Sequence, residues 1–281
     1  MLKRTVTGAV YVAVIAGFFI LREFADVRVF SALIMFFCAL GTFEIARAVK
    51  EKLARGVFSL AVVFGILFVP IYFLFNYVVN FLDGGKAALI LCGAFFILAL
   101  ILSLAGRTEN TGVAFNLLPF IYPSLLLLTT LLTNDLERNS LVALILIFAI
   151  PSFSDTFAYL VGMTYNKIRK GKAKKLCPNL SPKKTWAGAI GGVVGGIVAA
   201  VLAFYIFGYY SEKFAGILPF MIIGGLSAVV TELGDLFESL IKRKVGLKDM
   251  GNVMPGHGGI MDRIDGLTFA SAFIYLAFFV I

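Results

Sequence analysis

The chain has 281 residues, 60% of them hydrophobic and 15% charged, with a net charge of +9 and a mean hydropathy of +0.96. Soluble domains carry roughly 45–50% apolar and about 25% charged residues, so a soluble fold is excluded and lipid is the expected solvent. The basic excess suits loops beside membrane spans, where Lys and Arg set topology and meet anionic lipid or phosphate, and no nucleic-acid partner is expected. Cys38, Cys92 and Cys177 are scattered without metal-ligand spacing and predict neither disulfides nor zinc.

A spanning helix needs about 20 apolar residues. Such runs fall near 5–21, 28–48, 57–82, 87–105, 113–133, 139–162, 187–209, 214–233 and 265–281. The expected fold is therefore all-α: a polytopic integral membrane protein with about nine transmembrane helices and a polar site at the cytosolic face. The first run follows Lys3 and Arg4 in the manner of a signal peptide, but Arg22, Glu23 and Asp26 come next without a small-residue cleavage site, so it is read as a retained helix. Pro70 kinks or divides the long third run, which leaves eight or ten spans open as alternatives.

Nine spans place 20 of the 25 Lys and Arg residues on one side of the bilayer. These are Lys3 and Arg4, then Arg47, Lys50, Lys52 and Arg55, then Arg107, the eight between Lys167 and Lys184, and finally Lys242, Arg243, Lys244, Lys248 and Arg263. By the positive-inside rule that side and the N-terminus are cytosolic. Both long polar segments, 164–186 and 234–264, lie there.

Span six carries Ser152-Phe-Ser-Asp-Thr-Phe-Ala-Tyr159, with Asp155 inside an apolar helix. Acids within spans are functional by default. The basic loop after it ends in Ser181-Pro-Lys-Lys-Thr-Trp186; its first lysines, from Lys167 to Lys175, read as a topology signal. Ser181, Lys183, Lys184 and Thr185, just before a glycine-rich helix start, suit a polyphosphate. Gly188, Gly191, Gly192, Gly195 and Gly196 line that start at helical spacing, which points first to close helix packing.

Span eight turns polar as it leaves the membrane, and Asp235, Glu238, Ser239 and Lys242 share one helical face. A basic stretch leads to Lys248-Asp249 and then Gly251, Gly256, Gly258 and Gly259 around His257, the chain's single histidine. Asp262, Arg263 and Asp265 open the last span, with the two aspartates three residues apart. Hard oxygen ligands beside glycines and cations read as phosphate and Mg2+ chemistry. A tight charged loop is the plainer alternative, and for His257 alone the two stand nearly level.

Ser239-x-Ile-Lys-Arg243, Lys248-Asp249, Gly251, Pro255-x-His-Gly-Gly259 and Asp262-Arg-Ile-Asp265 closely resemble the signature of the phosphatidate cytidylyltransferase (CDP-diacylglycerol synthase) family. The Ser154-Asp-Thr-x-Ala-Tyr159 and Ser181-to-Trp186 runs resemble its two upstream motifs, in the same order. Met254, Ala187 and Gly266 depart from the usual pattern. The resemblance implies a transferase making CDP-diacylglycerol and diphosphate from CTP and phosphatidate, with 1–135 as N-terminal helices and 136–281 as the catalytic region of one continuous membrane domain. It implies Asp235 and Asp262 as principal Mg2+ ligands, with Asp265 and Asp155 in support and room for a second cation.

Lys242, Arg243, His257 and Arg263 are then expected to act on the reacting phosphates. Ser181, Lys183, Lys184, Thr185, Ser239, Lys248, Asp249, Gly258 and Gly259 are expected to bind substrate. Phosphatidate is expected from the cytosolic leaflet of the inner membrane, and a homodimer is among the expected states. Two alternatives stay open: a CTP-dependent enzyme acting on another lipid, such as a polyprenol kinase, and a cation transporter using Asp155, Asp235 and Asp262 as an ion path.

Overall fold

A computed structural model describes residues 2–79, 81–106, 112–136, 139–207, 216–254 and 258–280. In lipid every backbone N–H and C=O must be satisfied within its own segment, and the described chain is accordingly almost wholly helical. It forms two compact units, residues 1–132 with 245–264, and residues 133–244 with 265–281.

The first unit contains α1 (Leu2–Phe24), α2 (Phe30–Ala48), α3 (Val57–Phe73), α4 (Gly84–Ala105), α5 (Val113–Ile121) and most of α6 (Ser124–Asn134). Pro70 does not divide the third span: α3 runs through it and widens into a π-helical turn over Leu74–Val79. The break falls instead in the fifth span, at Tyr122 and Pro123. Proline cannot donate to the helix, and it pushes the residue before it toward extended backbone; Tyr122 has φ −118° and ψ 118°. The rings of Phe64, Phe95 and Phe120 pack against one another at tilted angles of 44–60°, with centroids 5.2–6.3 Å apart. The large residues α4 turns outward are Leu89, Ile90, Ile97, Leu98, Ile101 and Leu104, an apolar face that suits lipid.

The second unit contains α7 (Ser140–Ile168), a two-stranded antiparallel hairpin of β1 (Lys175–Cys177) and β2 (Ser181–Thr185), α8 (Trp186–Phe207), α9 (Ile217–Lys244) and most of α10 (Met261–Val280). The hairpin is absent from the all-helical expectation, since three and five residues are too short for a periodicity to register. Glycines at the start of α8 do pack: a Cβ on Gly195 would sit 2.6 Å from the Phe153 carbonyl oxygen, and one on Gly196 2.6 Å from the Gly224 oxygen. α8 thus lies flush against α7 and α9. Gly266 has the same purpose on α10, where a Cβ would stand 2.6 Å from Thr231 Cγ2.

Among the described residues, eight helical stretches are long and apolar enough to cross a membrane, each overlapping one expected span, although Ser140–Ile168 and Ile217–Lys244 run past the expected ends at 162 and 233. α10, whose first turn carries Asp262, Arg263 and Asp265, makes up the ninth expected position. The chain is a multi-pass membrane protein.

Candidate functional site

Two polar clusters stand out, one in each unit. In the second unit Pro151 sits inside α7 and removes one backbone donor, and the Ser152 hydroxyl donates to the Phe148 carbonyl at 2.8 Å. One turn later Asp155 opens onto a cavity of about 290 Å3 lined by Tyr159, Asn166, Lys183, Lys184, Thr185, Glu232 and Asp235 among others. The charged groups acting on Asp155 are Asp265, Asp235, Lys184 and Glu232.

The hairpin delivers Lys184 to this cavity. Its ammonium donates to Glu232 Oε1 at 2.8 Å and lies 2.5 Å from Asp235 Oδ2, bridging two carboxylates on successive turns of α9. Burial works against the charge, yet the Asp235 and Glu232 carboxylates outweigh it and hold the Lys184 ammonium above the usual lysine value. Ser239 donates to Asp235 Oδ1 at 3.4 Å, and Lys242 donates to the fully buried Glu238 at 2.7 Å, so the four expected residues do share one face. Asp265 accepts from the Gly266 amide at 2.7 Å, and Glu238 and Asp235 are charged groups acting on it.

The neighbouring assignments divide. Thr185 Oγ1 accepts from the Gly188 amide at 3.0 Å and so caps α8, although the residue also lines the cavity. Arg243 Nε donates to the Leu180 carbonyl at 3.3 Å, tying the end of α9 to the turn between the two strands. Lys183 is exposed at the cavity and Ser181 half-buried at the start of β2.

In the first unit, Asp262 Oδ2 accepts from the Gly259 amide at 2.7 Å and the Met250 amide at 3.0 Å, tying both residues to the start of α10. Gly258 has φ +87°, a conformation suited to glycine, and pairs with Met254 across a single bridge. Lys248, Asp249 and Arg263 are exposed. His257, with Pro255 and Gly256, lies outside the described residues.

Two residues escaped the sequence reading. Glu232 was legible as one more acid on the polar end of span eight. Glu44 satisfies the criterion that singled out Asp155, an acid in an apolar run, and is only 2% exposed. Its carboxylate accepts from the Ile260 and Met261 amides at 3.1 and 2.8 Å.

Among the described residues, neither unit gathers three His, Cys, Asp or Glu side chains in a ready metal centre. The donors near Lys184 nevertheless suit a hard divalent cation, because Glu232 and Asp235 are carboxylates that already hold a cationic group between them.

The Cytidylyltransferase family profile matches residues 2–281, essentially the whole chain. A phosphatidate cytidylyltransferase of Rickettsia conorii is 30% identical over 235 residues, covering 81% of this chain and 94% of that protein. The Haemophilus influenzae phosphatidate cytidylyltransferase is 35% identical over 170 residues, 59% of this chain and 56% of the relative. That of Brucella abortus is 34% identical over 147 residues, 52% of this chain and 50% of the relative. The chain therefore belongs to the cytidylyltransferase family, among the phosphatidate cytidylyltransferases.

Proposed function

We propose that the chain joins CTP and phosphatidate to give CDP-diacylglycerol and diphosphate, with Mg2+, at the cytosolic face of the inner membrane. Whole-length family membership carries the reading. The charged cavity around Lys184 and Asp235 supports it.

In the reaction a phosphate oxygen of phosphatidate bonds to the α-phosphorus of CTP while the bond from that phosphorus to the diphosphate oxygen breaks. Both reactants are anions, so the protein must position them and neutralise charge. Asp235 and Asp262 are the proposed Mg2+ ligands, with Asp155 and Asp265 in support. When bound, the ion offsets charge developing on the phosphates and the leaving diphosphate. Lys183 and Lys184 supply cations at the cavity, and Lys242, Arg243, Lys248 and Arg263 are assigned to the other phosphates. Ser181, Thr185, Ser239, Asp249, Gly258 and Gly259 are assigned to substrate contacts.

The attacking phosphate is ionised near pH 7, so no general base is needed, and His257 is assigned to donate to a phosphate oxygen. The proposal includes a cytosolic N-terminus, sideways access for phosphatidate from the inner leaflet, a second cation and a homodimer. Product analysis tests it: purified protein with Mg2+, CTP and phosphatidate should form a CDP-lipid. A phosphorylated lipid with release of CDP would instead establish a kinase.

A further inference from the structure

Glu44 is deeply buried at the end of α2 and far in sequence from every recognisable motif, yet the backbone amides it accepts from belong to the Asp262 segment, with Arg47 on its own helix as a further charged neighbour. Its two carboxylate oxygens are used separately: Oε1 accepts from the Ile260 amide at 3.1 Å and Oε2 from the Met261 amide at 2.8 Å. These amides lie at the start of α10, where helical N–H groups have no partner within the helix. The same carboxylate occupies the space behind the loop, since a Cβ built on either Gly251 or Gly259 would run into it. Asp262 in turn accepts from the amides of Met250 and Gly259, the residues that adjoin or form those contacts.

From this geometry we infer that Glu44 is a positioning residue for the proposed reaction. It fixes the backbone at Gly251 and at Gly259, Ile260 and Met261, and that backbone fixes the Asp262 carboxylate. Gly251 and Gly259 are glycines because the Glu44 carboxylate stands where their side chains would be. The inference rests on the proposed cytidylyltransferase activity for its catalytic half and on contacts within one unit for its structural half.

The natural perturbation is Glu44→Gln, which keeps the shape but turns one acceptor oxygen into an NH2 group facing an amide N–H. Hydrogen–deuterium exchange is read on metal-free, full-length protein in nanodiscs, beside CDP-lipid formation by the same sample. Peptides covering 258–264 should exchange about 10- to 100-fold faster, the loss expected for a charge-assisted hydrogen bond. Peptides from α8 should be unchanged, and kcat should fall while KM for CTP moves less than about threefold.

Gly251→Ala approaches the same contact from the other side and should also lower kcat. The double variant Glu44→Ala with Gly251→Ala should be no slower than Glu44→Ala alone, because the obstructed carboxylate is gone. Unchanged exchange at 258–264 in Glu44→Gln overturns the anchoring, and faster exchange with unaltered kcat overturns the positioning role. A wild-type protein that makes no CDP-lipid overturns the activity and the catalytic half together, while its exchange data still decide the anchoring.

Discussion

Replacing Lys184 with Met keeps the length of the side chain and removes its charge. The ammonium lies 2.8 Å from Glu232 and 2.5 Å from Asp235, and the three side chains are only 20%, 19% and 30% exposed. Each charge-assisted hydrogen bond is worth about 1.5–3 kcal/mol, and the variant also leaves two carboxylates with no ammonium between them. Partial solvent access keeps the total below the ~3–5 kcal/mol of a fully buried broken pair, so a loss of about 2–3 kcal/mol is expected. In a thermal melt that corresponds to ~4–12 °C. The diagnostic feature is rescue. Wild type and variant melted in detergent, with chelator and then with rising Mg2+, should differ most in chelator and converge as Mg2+ replaces the missing ammonium. Turnover by the variant should fall by about 10²-fold or more, because a cation at the reacting phosphates is lost. A variant that melts with wild type in chelator, or a gap indifferent to Mg2+, refutes the reasoning.

Asp235→Asn and Asp262→Asn should each lower CDP-lipid formation by at least about 10²-fold, and unchanged turnover in either would contradict its assignment as a ligand. Gly195→Ala puts a Cβ 2.6 Å from the Phe153 carbonyl oxygen and should lower stability by ~1–3 kcal/mol, whereas Gly17→Ala, with nothing within 4 Å, should melt with wild type; equal melts for both would contradict the packing account. Because Lys184 is held above its ordinary value of 10.5, the stability from its ion pairs is fully present below about pH 10.5 and lost as pH rises through the raised value. The melting gap between wild type and Lys184→Met should therefore stay level from pH 7 to 10 and close only above that; a gap that closes between pH 7 and 9 would count against the ion pairs.

The spans were legible because a bilayer demands long apolar helices, and that demand overrides finer propensities. What the pattern could not show was where proline acts. Pro70 lies within a helix that continues through a wider turn, while Pro123 ends one, and the difference depends on packing around each. The shared face of Asp235, Glu238, Ser239 and Lys242 was legible because helical geometry fixes it. Lys184 could be placed in a polar segment, but its bridge to Glu232 and Asp235 depends on a short hairpin that no periodicity announces. Glu44 was overlooked because its partners are more than 200 positions away and are backbone amides, which carry no residue identity in a sequence. Gly266 departs from the family pattern, and its neighbour Thr231 shows why: close packing leaves no room for a side chain there.

The central claim is that CTP and phosphatidate react together on this chain. Diphosphate release from CTP, measured on purified protein with Mg2+ in the presence and absence of phosphatidate, tests it most directly. The account predicts release that depends on phosphatidate and matches CDP-lipid formation mole for mole. Release of equal size without phosphatidate, or none with it, would contradict the account.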